Sequence, residues 1–175
     1  KLHLALIGCY SWQGIPSIPS SIMLLPEDFP FTIYEMSSWA RSSTVPLLIV
    51  FDKKPIFSVN PTINLDELYA EGINNASFEL PRKYDLTDLF LGLDKAFKFA
   101  ENLNLMPLQQ EGLKAAEKWI LESQEVTGDW GGIIPAMLNS MLALKCLEYD
   151  VADPVVVRGL EAIDRFAIEN AVSYT

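Results

Sequence analysis

Two stretches of this chain can be written one above the other without a gap. GLKAAEKWILE, from Gly112 to Glu122, aligns on GLEAIDRFAIE, from Gly159 to Glu169, 47 residues further on. Gly, Leu, Ala and the final Glu are identical, while Glu117 meets Asp164, Lys118 meets Arg165 and Trp119 meets Phe166. An offset of that size holds two helices and their connections, so the recurring unit is a helical hairpin. Chance similarity between amphipathic helices is the competing explanation. A hairpin used more than once confines the chain to a helical array.

The rest of the sequence agrees. Apolar spacing predicts helices over Leu2–Trp12, Phe31–Phe51, Asp85–Asn102, Leu108–Gln124, Ile134–Leu147 and Asp153 to about Asn170. Ile33, Met36, Trp39 and Ala40 form one stripe of the second, with Pro46 as a kink or break. Leu89, Leu93, Ala96, Phe97 and Ala100 form that of the third. Asp153-Pro154 is a helix start, with Asp as N-cap and Pro in the first turn. Residues 13–30, with Pro16, Pro19, Pro26 and Pro30, cannot be one helix. Residues 54–84 read as a long ordered excursion over a surface, the kind of loop that is functional or packs elsewhere. No segment keeps up strand alternation, and the fold class is all-α.

Half the residues are apolar and 21% are charged, a globular balance. The net charge of −10 and the lack of a basic run exclude nucleic acid as a partner. Cys9 and Cys146 have no metal-ligand spacing and read as reduced, mostly buried thiols. With His3 the only histidine, triads and His-rich metal sites have little support. The run Val45–Phe51 is too short to span a bilayer, and the start at Lys1 has no signal-peptide pattern.

QEVTGDWGG, residues 124–132, places a tryptophan among three glycines after a helix. Gln124 can donate to the last free carbonyls of that helix and accept from a following N–H. Gly128 permits a backbone conformation closed to other residues. Trp130 can then lay its π face on the Gln amide or on the turn, while Trp119 faces inward. Such a unit ties one helix end to the next helix start without using a core position. The plainer alternative is an ordinary turn.

The spacing Ala116-x-x-Trp119-Ile120-x-x-x-Gln124-x-x-x-Gly128-x-Trp130 resembles the QW repeat of triterpene cyclases. LALIGCYSW, FPFTIYEMSSWARSSTVPLLIVFDKKPIF and GGIIPAMLNS resemble the central region of bacterial squalene–hopene cyclases, over essentially the whole chain. The resemblance implies a two-barrel α/α architecture around an apolar cavity. It also implies proton-initiated cyclisation of squalene to pentacyclic hopene or hopanol, with neither metal nor organic cofactor.

Residue by residue, the resemblance implies that Trp39 lines the cavity, where its π face stabilises carbocations. By itself Trp39 reads as a core tryptophan buried in its helix. By the same resemblance Met36 falls at a channel constriction and Thr44 on the same wall; plain packing is the alternative for both. Ile133, Ile134 and Pro135 correspond to the segment near the final deprotonation, where some family members have Gln-Pro. Asn139 is a candidate replacement for that lost polar group, or it bonds a neighbouring backbone. Trp119, Gln124, Gly128 and Trp130 are structural.

The family's acid motif, D-x-D-D, is absent, as is the magnesium motif D-D-x-x-D. Asp85-Leu-Thr-Asp88 and Asp150-Val-Ala-Asp153 have another spacing and read as helix caps. No catalytic acid is assigned. Two barrels, each of about twelve helices of ~11 residues, far exceed this chain. It therefore reads as an inactive internal piece, with 1–150 in one barrel and 151–175 opening the other. The apolar segment Leu86–Leu108, in which Lys95 and Lys98 can snorkel, hints at a membrane surface or at burial against the missing barrel; the resemblance implies monotopic attachment at the cytoplasmic face of a bacterial membrane. A homodimer is implied too. The alternatives are an oxidosqualene or other triterpene cyclase, and a non-catalytic α/α-toroid binding module.

Overall fold

A computed structural model describes residues 1–16, 18–27, 32–57, 65, 67, 69 and 108–167. Among them there are helices and turns and no strand. The helix expected over Asp85–Asn102, with Asp85 and Asp88, and nearly all of Leu86–Leu108 fall outside the described residues, as does most of 54–84. No described helix is long and apolar enough to cross a membrane.

The chain divides into two compact units, 1–18 with 54–106, and 19–53 with 107–175. In the first, α1 spans Leu2–Leu6 and stops well short of the expected Trp12. The cause is Gly8, at φ +78°. Its N–H bonds Ala5 O at 3.1 Å and the Cys9 N–H bonds Leu4 O at 2.8 Å, which together close the helix as a Schellman motif. A single 3₁₀ turn, Trp12–Gly14, follows. Phe57 N–H reaches Leu6 O at 2.7 Å, and Tyr69 Oη donates to Cys9 O at 2.6 Å.

Among its described residues the second unit holds four α-helices. The expected helix over 31–51 is instead a 3₁₀ turn, Ile33–Glu35, and then α2, Ser38–Lys53. Thr32 Oγ1 accepts from Tyr34 N–H, capping the start of the short turn, and the extended backbone of Met36 separates it from α2. Pro46 does not break α2. Val45, Pro46, Leu48, Ile49 and Val50 are all buried, and that packing holds the helix through a position that lacks an N–H.

The helix α3, Gln109–Ser123, begins after Leu108 in the left-handed region. Its buried positions are Gly112, Ala116 and Ile120; Trp119, expected to face inward, is only half-buried, because the buried stripe runs beside it. The helix α4, Ile134–Cys146, has Pro135 in its first turn, and α5 spans Pro154–Phe166. Asp153 stands at the N-cap of α5, but its side chain makes no capping bond; Asp150 Oδ1 accepts the Ala152 N–H instead.

The first copy of the sequence repeat is helical throughout, in α3, and the second is helical over Gly159–Phe166, in α5. Each glycine of the repeat marks a close approach. A Cβ on Gly112 would lie 2.4 Å from Ser20 O, in the 3₁₀ segment Ser20–Leu24 that covers α3. One on Gly159 would lie 2.6 Å from Met141 Sδ and 3.2 Å from the Trp130 ring. The core of this unit is the packing of α2 on α4 and α3, with α5 against α4.

Candidate functional site

The loop from Gln124 to Ile133 shows how the first of two sites is built. The Trp130 ring nitrogen donates to Ile120 O at 2.8 Å, so the indole closes the last turn of α3. Trp130 is 1% exposed and lies on Gly159 of α5. The motif therefore does use a core position, contrary to the sequence expectation.

Gln124 does not cap its own helix either. Its Nε2 donates to Gly128 O at 3.1 Å and to Val155 O at 2.8 Å, while its Oε1 accepts Arg158 Nη2 at 2.7 Å and Nε at 3.2 Å. The extended backbone of Gln124 turns the amide away from α3 and toward the first turn of α5. Gly128, at φ +88°, sits where a Cβ would lie 2.3 Å from Arg158 O. Only glycine allows both the turn and the contact.

Asp129 completes the loop. It accepts from Thr127 Oγ1 at 2.6 Å and from Gly132 N–H at 2.7 Å. The Thr127 hydroxyl is the main cause that holds its carboxyl below the ordinary value of 3.8, with help from the Gly132 N–H and from Arg165. Arg165 also donates to Thr127 O. These groups are fully used in holding the backbone, and nothing here is left to do chemistry.

The second site lies on α2 and α4. Asn139 Nδ2 donates to Ser43 O at 2.9 Å, and Ser43 Oγ donates to Trp39 O at 3.1 Å. Further along, Lys53 is near enough to Cys146 for its charge to act on the thiol. Ser43 is bonded by Asn139, and Lys53 lies within electrostatic reach of Cys146 further along both helices, so the two helices run in the same general direction. Trp39 and Pro135 each stand one turn before the Ser43–Asn139 bond, at the same end of the pair.

At that end apolar side chains face outward. Trp39 is 63% exposed, Leu138 46% and Ile134 38%, and Pro135 is exposed as well. Ile133, Met36, Thr44 and Asn139 are half-buried. Within this chain Trp39 is therefore not part of the core. Of the expected site residues, the structure brings Trp39, Thr44, Ile134, Pro135 and Asn139 onto one helix pair. Met36 ends the preceding 3₁₀ turn, through its N–H to Ile33 O at 3.2 Å.

The sequence reading missed Ser43, Leu138, Arg158 and Arg165. Leu138 was open to it, one helical turn after Ile134. Ser43 and the arginines act through contacts between distant segments, which carry no sequence spacing.

A wall of indole and alkyl groups has no acid or base to offer. Its chemical capacity is to exclude water and to place a π face against positive charge.

Residues 1–171 match the family model of the squalene-hopene cyclase N-terminal domain. A dammaradiene synthase from Dryopteris crassirhizoma is 50% identical over 98% of this chain and 25% of its own length. A squalene hopane cyclase from Aspergillus fumigatus is 36% identical over 95% of the chain and 23% of its own length. For a squalene–hopene cyclase from Alicyclobacillus acidocaldarius the figures are 32%, 97% and 26%. The chain thus spans about a quarter of the length of these relatives. By this match the chain belongs to the squalene–hopene cyclase family, all-α proteins of α/α-toroid fold.

Proposed function

We propose that this chain is part of a longer triterpene cyclase that folds squalene in an apolar chamber and closes its rings through carbocations. In that protein the exposed end of α2 and α4 is chamber wall, and Trp39 shelters a cationic carbon. The observation that carries the reading is the 63% exposure of Trp39 beside an apolar helix start. An indole left in water costs burial free energy that a chamber recovers.

One physical objection bears on this. The N-terminal ends of both α2 and α4 point this way, and a helix N-terminus carries partial positive charge, worth about 0.3–1 kcal/mol against a nearby cation. A desolvated cation–π contact is worth about 2 kcal/mol or more. The indole outweighs the dipole only if it lies directly against the charge, which sets a strict demand on where Trp39 points.

The acid belongs to the part of the protein beyond this chain, and the chain alone turns over no squalene. Incubating it with squalene and finding a C30 polycycle by gas chromatography would refute that. In the longer protein, Trp39→Ala raises the share of incompletely cyclised products while Trp39→Phe largely keeps the parental profile. An unchanged profile in Trp39→Ala removes Trp39 from the mechanism.

The product is hopene or hopanol on the first reading. The relative named dammaradiene synthase, at 50% identity, supports a second, in which cyclisation ends at a dammaradiene. Chromatography of the full-length protein's products separates the two. Metal and organic cofactors play no part in the proposal. Peripheral, monotopic membrane attachment, a homodimer, and a domain boundary between 1–150 and 151–175 remain parts of it, supported by the family resemblance. The relatives come from a fern, a fungus and a bacterium, so they do not single out a bacterial source.

A further inference from the structure

The strict demand on Trp39 leads to the residue that meets it. We propose that Asn139 is a positioning residue, whose amide fixes the half of α2 that carries Trp39. The inference rests on the reading of Trp39 given above and adds a device to it.

The need for such a device is written into α2. Pro46 has no N–H, so Ser42 O has no partner one turn ahead, and the helix is joined across a missing bond. The two sides of that gap are held differently. Beyond it, Leu48, Ile49 and Val50 are fully buried. Before it, Ser38 and Trp39 are exposed, and Ala40, Arg41, Ser43 and Thr44 are half-buried; Ser42 and Val45 alone are buried. Ser42 Oγ and Ser43 Oγ both bond back to carbonyls of their own helix, Ser38 O at 2.8 Å and Trp39 O at 3.1 Å. Back-bonding of this kind tightens a turn locally but ties it to nothing outside, and it favours bending.

Asn139 supplies the outside tie. Its Nδ2 reaches Ser43 O across the α2–α4 packing, one turn after Trp39 and three residues before Pro46. Ser43 is then the link: its carbonyl takes the bond from α4 and its hydroxyl passes the constraint to the Trp39 carbonyl. The indole's direction is fixed relative to Ile134 and Pro135, which start the helix that carries Asn139. In the sequence Asn139 was a candidate for a polar cavity group or for a bond to a neighbouring backbone; one of its amide hydrogens makes the bond to α2.

The test uses the full-length protein and three variants, Trp39→Ala, Asn139→Leu and the two combined. Hydrogen exchange of the peptide amides across 38–45 and 48–53 is measured beside the share of incompletely cyclised C30 products. Asn139→Leu is expected to speed exchange across 38–45 by about tenfold, the equivalent of one hydrogen bond, and to leave 48–53 unchanged. It is expected to raise the incompletely cyclised share, and to add nothing further in the Trp39→Ala background, because the two act through one ring.

Unchanged exchange across 38–45 overturns the proposal. So does a product shift of the same size with and without Trp39, which would mean that Asn139 acts elsewhere. If Trp39→Ala itself leaves the products unaltered, the cyclase reading of Trp39 fails, and the exchange data still decide whether Asn139 fixes that turn. Should Asn139→Leu not fold, Asn139→Asp, of the same shape without the donor, is read in the same way.

Discussion

Trp130 and Gln124 exchange the parts that their spacing suggests. The tryptophan caps α3 through its ring nitrogen, and the glutamine reaches forward to α5. Trp130→Phe leaves the Ile120 carbonyl buried without a donor and should cost about 1–3 kcal/mol in urea unfolding. Trp130→Ala should cost about 3–5 kcal/mol, because it also opens a cavity on Gly159. Equal, small losses for both would show that neither the bond nor the packing matters.

Asp129 adds a pH signature. Its carboxyl is held below 3.8, so it contributes stability that is complete above that value. The contribution is lost as the pH falls from 3.8 through the lowered folded-state value. Asp129→Asn should flatten the pH dependence of stability in that acid range and nowhere else. Cys146 behaves oppositely, its thiol pushed up to about 11 by burial, with Lys53 pulling weakly the other way. At pH 8 it should react with a disulfide reagent roughly a hundredfold more slowly than an ordinary thiol.

At the scale of elements, the sequence was most readable where proline starts a helix and least where a helix stops. Pro135 and Pro154 mark the first turns of α4 and α5 as expected. The reading of α1 ran on to Trp12 because apolar periodicity continued past Gly8, and periodicity says nothing about the left-handed residue that ends a helix. The same closure recurs after α4 with no glycine to signal it. Glu148, at φ +64°, donates its N–H to Lys145 O at 3.1 Å, and the Tyr149 N–H bonds Leu144 O at 3.1 Å. An exposed glutamate in that conformation is strained, so Glu148→Gly should stabilise the protein by about 0.5–1 kcal/mol. A loss of stability would show that the Glu148 side chain has a role which its exposure does not suggest.

Over the whole molecule, apolar spacing pointed to the all-α class, and the ordered motifs MSSWAR, QEVTGDWGG and GGIIPAM together pointed to the family. The pairing of α2 with α4, proposed above as chamber wall, has no signature in sequence spacing, since Trp39 and Asn139 lie far apart in the chain and meet through Ser43. Exposure is a further property that sequence pattern got backwards: a helical apolar stripe normally faces a core, and here Trp39 faces out. An apolar face with water on it belongs to a larger assembly. The account explains it by the rest of a cyclase closing over this end of the helix pair.

The central claim is that the Trp39 ring is paired with positive charge in that chamber. It is tested most directly by the affinity of the full-length protein for a squalene analogue bearing a tertiary ammonium, compared with its uncharged carbon counterpart, in parent and Trp39→Ala. The account predicts that Trp39→Ala weakens the cation by about thirtyfold, the equivalent of a desolvated cation–π contact, and the neutral analogue far less. Equal weakening of both, or none, would contradict it.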